Sequence, residues 1–517
     1  MRKKAKHSQS SLAAIASKLK ALWQMAQHLR SAYNRRMARY NSPSMVAAAA
    51  TALCFAAAVI LLFLPRYIGV ADDGSLQQIM RQAGLQYSAA DAAQPEGAYF
   101  VRVYERTVPA VYGGFSTHIC MIRFALSLDH FFTQDNFFDV RFLAFLYLCL
   151  YLPAVWLFTK QAACRVKFAS ERTVLGAAAV LLFGDVSYLA YFNSLYPEAL
   201  WFICLLYCCG FCLSLQISSR WDNVRLLLLA AFGIILTLTE QHCAVFGFAL
   251  SLFCLRQIAM DGAKLPTKTV AALSALVLIL AGFSGLISGN SRFSMDSKLN
   301  AMTSGVLLES SNPEQTLAEF GIDARFETLA DTSSYSGYPL TKADNPELQT
   351  GFYDRYSSSA LMLYYARHPA ALAALLEQGV HAAFNVRRDY CGNYEVSASM
   401  PPKGRTPLFA LASNFKVRFA PKTLGYLLLL AIVYGMMQSK RNTRNMHNRA
   451  RRIMLDTFWT FLTAGLAHMF YIILRSGTAE LSRYSLIFSV CIDFISFLTF
   501  TGILHRLNLL ETEEGQT

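Results

Sequence analysis

Ten stretches of this chain consist almost entirely of apolar residues, and polar segments of very different length separate them. The first, MVAAAATALCFAAAVILLFLP over residues 45–65, carries no charge. The others occupy residues 142–159, 186–197, 199–219, 226–239, 243–255, 269–289, 423–438, 453–474 and 485–492. A helix of about 20 apolar residues crosses the hydrocarbon core of a bilayer. The pattern therefore predicts an all-α polytopic membrane protein with about ten transmembrane helices.

The same pattern divides the chain into five parts. They are a basic segment over 1–44, a transmembrane region over 45–289 with a long first external loop at 66–139, a small, mostly helical external domain over 290–422, transmembrane helices over 423–504 and a tail over 505–517.

Amphipathic stretches predict helices in both external parts. In SLQQIMRQAGL, Leu76, Ile79 and Met80 fall on one helical face, as in a helix that lies in the membrane interface. The stretch GFSTHICMIRFALSLDHFF is also predicted to lie in the interface, because a crossing there would invert every later loop.

The external domain carries its own helix start and stop signals. SSNPEQTLAEFGI predicts a helix capped by Ser311 or Asn312 and ended by Gly321. The stretch SSALMLYYARHPAALAALLEQGVHAAF predicts two helices with a break before Pro369.

Charge sets the predicted orientation. The chain is 54% hydrophobic and carries 47 Lys and Arg against 33 Asp and Glu, a net charge of +14. Ten basic and no acidic residues lie in the first 44, and basic loops recur at 160–172, 220–225, 256–268 and 440–452. Because basic loops tend to stay in the cytoplasm, both termini are predicted to be cytoplasmic in the plasma (inner) membrane. The predicted partner of the basic surface is anionic lipid, not nucleic acid.

The twelve cysteines carry little chemical signal, because nine lie in or beside apolar runs, where cysteine acts as a small hydrophobic residue. Cys120 and Cys391 are both predicted to be external, so a disulfide is conceivable. Two unrelated thiols are the preferred interpretation.

Polar and ionisable residues collect at the predicted external ends of the helices. They are Asp72, Asp73, Asp185, Glu198, Glu240, Gln241, His242, Glu480 and Arg483. Such groups are costly near lipid, so their concentration on one face predicts a shared cavity. The sequence holds no phosphate-binding glycine loop and no nucleophile elbow. The classes of protein that remain are a transporter, a channel and an enzyme with a lipid-borne substrate.

Several motifs follow one another in a fixed order between about residues 69 and 495. They are VADDGSLQQIM, YFNSLYPEALWF, LNAMTSGVLLESSNPEQTLAEFGI, YYARHP, LLEQG, GNYE and SGTAELSRYSLIFSVCIDF. Together they resemble the motifs of the GT-C superfamily of membrane glycosyltransferases, and most closely those of the bacterial glycan-biosynthesis hexose transferases of the WsfD type. The resemblance implies a GT-C-like fold. It also implies transfer of a hexose from a polyprenyl-phosphate carrier to a cell-surface glycan acceptor on the extracytoplasmic side.

The chain departs from that family's pattern at several polar positions. This chain has Asp73 where the family has Asn, Pro197 where it has Gly, and Tyr484 where it has His. It has Ser75, Ser476 and Thr478 where the family has acidic residues. Since the missing carboxylates are those that could hold a metal ion, we assign no metal and leave the cofactor unknown.

The chemistry of the implied transfer suggests a role for each candidate residue. Asp72 matches the family's aspartate and is the predicted general base for the acceptor hydroxyl, with Asp73 as its neighbour and the alternative base. Arg483 is the predicted partner of the leaving phosphate, since negative charge grows there in the transition state. Weaker candidates for binding the phosphate or the sugar are Arg81, Asn193, Glu198, Glu240, His242 and Glu480.

Two other classes of protein fit the same outline. A polymerase or ligase of lipid-linked glycans would have similar external loops, but would depend more on external arginines than on a carboxylate after the first helix. A flippase or transporter of lipid-linked sugars would not need Asp72, and would carry Gly or Pro breaks in paired mid-membrane segments.

Overall fold

A computed structural model of the chain describes residues 27–95, 97–110, 114–216, 219–260, 264–287, 293–334, 345–442 and 449–514, together with Ser17, Ala21 and Met25. Helix predominates. After a helical segment at residues 27–37, the α-helices are α1 Pro43–Leu62, α2 Leu76–Ala83, α3 Ala89–Ala92, α4 Thr117–Thr133, α5 Arg141–Ala163, α6 Ala169–Phe183, α7 Val186–Leu189, α8 Glu198–Ser214, α9 Asp222–Thr237, α10 Ala244–Ile258, α11 Leu265–Ile287, α12 Phe293–Ala301, α13 Pro313–Glu319, α14 Pro346–Gly351, α15 Ser358–Arg367, α16 Pro369–Phe384, α17 Leu411–Phe419, α18 Leu424–Asn442, α19 Arg449–Ser476 and α20 Leu481–Glu514. The strands are β1 Ile68–Val70, β2 Leu85–Gln86, β3 Val103–Arg106, β4 Phe137–Asp139 and β5 Cys391–Tyr394.

Among the described residues, five helices are long and apolar enough to cross a membrane. They comprise α1, α5, α11 and most of α19 and α20. Two bent pairs raise the count to seven: α6 with residues 186–193, bent by 45°, and α17 with α18, bent by 107°. The predicted span over 186–197 was therefore misplaced, because the long helix is α6 and the chain bends at Gly184. The three remaining predicted spans correspond to α8, α9 and α10, which at 17, 16 and 15 residues are shorter than the about 20 that a bilayer requires.

Helix α8 forms the centre of the bundle. All of its residues are buried, and it packs against α5, α9, α19 and α20. A helix that is hydrophobic all round is expected to be buried on every side. The four cysteines of α8 (Cys204, Cys208, Cys209 and Cys212) are small side chains in this contact, and all four are free thiols. Cys120 and Cys391 are also free.

The two predicted external parts are joined by an antiparallel pair of strands. In β1 and β5, Ile68 is opposite Tyr394 and Gly69 is opposite Asn393. A second sheet, β2-β3-β4, lies within residues 66–139, the first of these parts. Gly69 is required at its position, because a Cβ atom there would overlap the backbone carbonyl of Asn193 and the ring of Phe100. The loop that follows β1 is thereby held against the end of the helix bundle.

The helix signals of the external domain are confirmed. The side chain of Asn312 caps α13 by accepting a hydrogen bond from the Gln315 backbone at 3.3 Å, and Gly321 follows the helix with φ +68°. Helices α15 and α16 are separated at His368, directly before Pro369.

The prediction that the apolar face of α2 lies in the membrane interface was wrong. Leu76, Ile79 and Met80 are only 1%, 7% and 4% exposed, and α2 packs against α4 inside the protein. Helix α4 is not among the helices that could cross a membrane, and it exposes Phe124 and Phe131 on its surface. An apolar stripe predicts burial of a helix face, but it does not say whether lipid or protein covers that face.

Candidate active site

Asp72 closes the turn between β1 and α2. One carboxylate oxygen, Oδ1, accepts hydrogen bonds from the backbone of Gly74 at 2.8 Å and of Leu76 at 3.2 Å. The other, Oδ2, accepts from the hydroxyl of Tyr87 at 2.7 Å. Gly74 has a φ of 90°, a region that glycine adopts without strain. The carboxylate is therefore held at the N-terminus of α2 and is half-buried.

Asp73 is exposed and has one uncommitted oxygen. Its Oδ1 accepts from the backbone and hydroxyl of Ser75 at 3.1 and 2.5 Å and from the Tyr196 hydroxyl at 2.6 Å. Burial raises the pKa of Asp73, but these hydrogen bonds and the charge of Arg483 outweigh it, so the pKa lies below its usual value. No described residue donates a hydrogen bond to Oδ2 of Asp73.

Tyr196 joins the two carboxylates. Its hydroxyl lies 2.6 Å from Oδ1 of Asp73 and 3.4 Å from Oδ1 of Asp72, and it accepts a hydrogen bond from the Asp73 backbone at 3.0 Å. The side chain is 1% exposed, so the hydroxyl has a fixed position. A phenolic hydroxyl has a single hydrogen to donate. The distances assign this hydrogen bond to Asp73.

Asn193 holds the chain segment that leads to Asp72. Its amide nitrogen donates to the backbone carbonyl of Leu62, at the end of α1, and to that of Ile68 in β1, at 3.0 and 2.9 Å. The side chain is fully buried. Both amide hydrogens are used, so Asn193 cannot donate to a sugar hydroxyl in this arrangement. It positions the strand that leads to Asp72.

Helix α2 separates two cavities. Cavity A, of about 160 Å³, includes in its lining Ser75, Gln78, Gln82, His118, Glu240, Gln241, His242, Tyr471, Arg475, Glu480, Arg483 and Tyr484. Cavity B, of about 600 Å³, includes Asp72, Gly74, Gln77, Arg81, Gln86, Tyr87, Asp91, Gln94, Tyr99, Thr107 and Val396. Gln78, Ile79 and Gln82 of α2 line cavity A, and Gln77, Met80 and Arg81 line cavity B. Asp72 and Asp73 precede the helix at its N-terminal end.

The positive charge of Arg483 acts on several of the candidate carboxylates. Its guanidinium lies over the ring of Tyr484, 5.1 Å from the ring centre, and lines cavity A. Asp73, Glu198 and Glu240 are all close enough for their charges to act on it. Within the described residues, no carboxylate oxygen lies within 4 Å of its nitrogens. The guanidinium therefore keeps donor capacity that a bound anion could use.

Glu240 and His242, which line cavity A, form a chain of hydrogen bonds with His468 behind them. Nε2 of His242 lies 2.7 Å from Oε2 of Glu240, and Nδ1 of His242 lies 2.9 Å from Nε2 of His468. Burial raises the pKa of Glu240, but the hydrogen bond and charge of His242, with the charge of Arg483, lower it overall. Glu240 is thus held ionised.

Glu198 lies beneath the cavities at the start of α8. It is 2% exposed, with Oε1 3.9 Å from Nη1 of Arg388, and its Oε2 has no partner among the described residues. Arg388 also donates through Nη2 to the backbone carbonyl of Arg483 at 2.5 Å and through Nη1 to the Tyr390 hydroxyl at 2.8 Å. The pair supports Arg483 from the core side.

Six of the nine predicted site residues line a cavity. Asp72 and Arg81 line cavity B, and Glu240, His242, Glu480 and Arg483 line cavity A. The linings of cavities A and B do not include the other three, Asp73, Asn193 and Glu198. Arg81 is exposed on α2, on the side opposite cavity A.

Residues 29–517 match the family model of the YfdI N-terminal transmembrane domain. The chain belongs to this family. The YfdI family is a GT-C-like family of membrane glycosyltransferases, and the membership agrees with the apolar helices in making this an integral membrane protein. No curated protein and no solved structure matches the chain. The closer likeness to the WsfD type stays a prediction.

Several residues of the candidate site were not among those chosen from the sequence. Tyr196 lies in the quoted motif YFNSLYPE, so it carried a signal. Tyr87 lies only 15 residues after Asp72 but in no quoted motif. Arg388 and His468 carried no signal, because each reaches the site from a segment distant in sequence. In the described part of the chain, no three His, Cys, Asp or Glu side chains come together in a way that could hold a metal ion.

Proposed function

We propose that this chain is a GT-C-type hexosyltransferase that moves a sugar from a polyprenyl-phosphate carrier to a cell-surface glycan on the extracytoplasmic side of the membrane. The observation that carries the proposal is the position of α2, with two carboxylates at its N-terminus and a cavity on either side. A transferase needs two substrates to meet at one base, and this arrangement offers a separate approach to each. Membership of the YfdI family supports glycosyl transfer.

Cavity A suits the donor. Its lining includes two cations, Arg475 and Arg483, at the ends of two long apolar helices. A lipid phosphate lies at the end of such helices, where the bilayer meets water. Arg483 would stabilise the charge that grows on the departing phosphate, and Arg388 holds its backbone in place.

Cavity B suits the acceptor, and Asp72 is the proposed base. As the acceptor oxygen bonds to the anomeric carbon, its proton moves to Asp72. The bond from the anomeric carbon to the phosphate oxygen breaks, and its electron pair leaves with the polyprenyl phosphate. Tyr87 occupies one lone pair of Oδ2 of Asp72, and a second lone pair remains for the acceptor hydroxyl.

A transfer assay tests the proposal. Membranes that contain the chain, and matched membranes without it, are supplied with radiolabelled polyprenyl-phosphate hexoses and cell-surface glycan. We expect label in the glycan only when the chain is present, and a corresponding loss of one sugar from the glycan of cells that lack it. Label that crosses the membrane without joining the glycan would instead identify a flippase. A change in chain length at constant sugar composition would identify a polymerase.

The side of the membrane is tested separately. The basic-residue distribution predicts that a reporter fused after Thr517 lies in the cytoplasm and that a tag next to Asp331 is accessible from outside. A membrane-impermeant thiol or antibody reagent on intact cells distinguishes the two positions. Labelling of the C-terminus from outside would reverse the orientation and move the proposed site to the cytoplasmic face.

A further inference from the structure

His118 presents an unsatisfied polar atom to cavity A. The side chain is 2% exposed, and its Nε2 has no hydrogen-bond partner among the described residues. Burial lowers the pKa of His118 to about 4, although the charge of Glu240 opposes this. The imidazole is therefore neutral near pH 7. Buried polar atoms are nearly always hydrogen-bonded, so an atom that is not, in the wall of a cavity, indicates a missing partner.

Glu240 faces the same cavity with one oxygen uncommitted. Its Oε2 is bonded to Nε2 of His242 at 2.7 Å, whereas no described residue donates to Oε1. A carboxylate oxygen accepts from hydroxyl groups, and an imidazole nitrogen exchanges hydrogen bonds with them. Neither group attracts an anion. The pair fits neutral, hydroxyl-rich chemistry next to the cationic part of the cavity.

His468 fixes the direction of the Glu240 side chain. Nε2 of His242 donates to the ionised Glu240, and Nδ1 of His242 is hydrogen-bonded to Nε2 of His468, so both nitrogens of the His242 ring are held. His468 is fully buried in α19, and the His242 ring contacts Tyr484 at 4.2 Å and Trp201 at 5.0 Å between ring centres. The chain of two imidazoles therefore has little freedom to rotate.

We propose that Oε1 of Glu240 and Nε2 of His118 form a subsite for hydroxyl groups of the donor sugar, and that His468 acts through His242 as a positioning residue for Glu240. The inference rests on the proposed function, because it assumes that cavity A takes the sugar-bearing lipid. It divides the cavity into a part for the phosphate at Arg483 and a part for the sugar ring at Glu240.

The test compares two lipids on the purified full chain in lipid nanodiscs. One is short-chain polyprenyl phosphate that carries glucose, galactose or mannose, and the other is the same lipid without sugar. We expect the parent to bind one of the sugar-bearing lipids more tightly than the sugar-free lipid. Glu240→Gln and His118→Phe should each lower the affinity for that lipid about 10-fold, the loss of one hydrogen bond that involves a charged or buried group. The affinity for the sugar-free lipid should stay within about 2-fold.

His468 is tested by removal and by partial rescue. His468→Leu should give the same selective loss as Glu240→Gln, and the double variant should lose no more than either, because both changes act on one carboxylate. His468→Gln should recover part of the affinity, since its amide can donate to His242. His505→Gln is the control, because His505 also lies near a carboxylate, Glu171 at 3.3 Å, in a different part of the chain.

The outcomes separate the two proposals. A parent that binds neither type of lipid would overturn the proposed function itself. A parent that binds both types equally, or variants that keep its preference for the sugar, would overturn the subsite alone. If His468→Leu weakens the binding of both lipids equally, and His468→Gln does not restore it, His468 has a structural role only and is not a positioning residue.

Discussion

Cavities A and B lie on opposite sides of the same short helix, yet they are built in different ways. Nearly all residues that line cavity B come from one segment, residues 72–110, and only Val396 comes from elsewhere. The lining of cavity A comes from α2, α4, the turn after α9 and the ends of α11, α19 and α20. Cavity A is thus held by long packed helices, whereas cavity B belongs to a loop.

The difference suggests how the two substrates are recognised. A site on packed helices keeps its groups in fixed positions, whereas loops tolerate changes of sequence and length. In the proposed reaction, cavity A takes a carrier lipid of constant chemistry and cavity B takes the acceptor. We expect changes in cavity A to abolish transfer in general, and changes in the loop of cavity B to alter which acceptor is used.

Asp72 lines cavity B and is the proposed base, so its substitution should have the largest effect. Asp72→Asn keeps the shape of the side chain but cannot take the proton, and general-base assistance contributes roughly 10²–10⁴-fold. We expect kcat to fall by that factor and not to recover at high donor concentration. The measurement is the transfer assay in membranes at matched expression.

Asp135→Asn is the matched control, because Asp135 is an exposed aspartate of residues 66–139 that lines neither cavity and accepts a backbone hydrogen bond from Phe137, which Asn can also accept. It should transfer sugar at close to the parent rate. Full activity of Asp72→Asn would remove the base from Asp72, and a loss confined to Asp73→Asn would move it to the neighbouring carboxylate.

Arg483→Ala should have the next largest effect and should identify cavity A as the donor side. Loss of one group that stabilises transition-state charge lowers the rate about 10²–10³-fold. Arg483→Lys should restore only part of it, because Lys keeps the charge but not the planar fork. Rates with varied donor and fixed acceptor measure the effect. Arg367→Ala, at the end of α15 in the external domain, serves as the control. A parent-like rate for Arg483→Ala would contradict the assignment.

Tyr196→Phe tests the link between the two carboxylates. The change removes the hydroxyl that lies 2.6 Å from Asp73 and 3.4 Å from Asp72, and leaves the ring in the core. Buried hydrogen bonds to charged groups stabilise by about 1.5–3 kcal/mol. The hydrogen bond between Tyr196 and Asp73 is only partly buried, so we expect kcat to fall about 10-fold. Asp73→Asn should cost less. If Tyr196→Phe keeps the parent kcat while Tyr87→Phe lowers it, the orientation of Asp72 depends on Tyr87 alone.

Arg81→Ala should have the smallest effect, limited to the acceptor. Arg81 is exposed in cavity B, and single exposed charges contribute little to binding. We expect the KM for acceptor to rise about 3-fold and the KM for donor to stay unchanged, as measured by initial rates at varied concentrations of each. A rise in the KM for donor instead would mean that the phosphate approaches through cavity B.

The sequence predicted the class of fold and the N-terminus of α2 with its carboxylates, because apolar runs and turn residues are local signals. It could not show that α8 is covered by protein on every side, since a helix buried in a bundle and one in lipid have the same composition. For the same reason the apolar face of α2 was assigned to lipid. The site partners Arg388 and His468 depend on which helices pack together, and a single sequence does not specify that.

The pairing of β1 with β5 has a consequence for biogenesis. The loop that carries Asp72 is held by a strand that leaves the ribosome more than 300 residues later, since Ile68 pairs with Tyr394. At about 5–20 residues per second, synthesis of the intervening chain takes roughly 15–65 s. During that time the loop lacks its partner strand, and Arg483 has not yet been made. In the proposed reaction, a nascent chain therefore cannot act on carrier lipid before its last helices are in place, and we expect any truncation before β5 to leave an inserted but inactive protein.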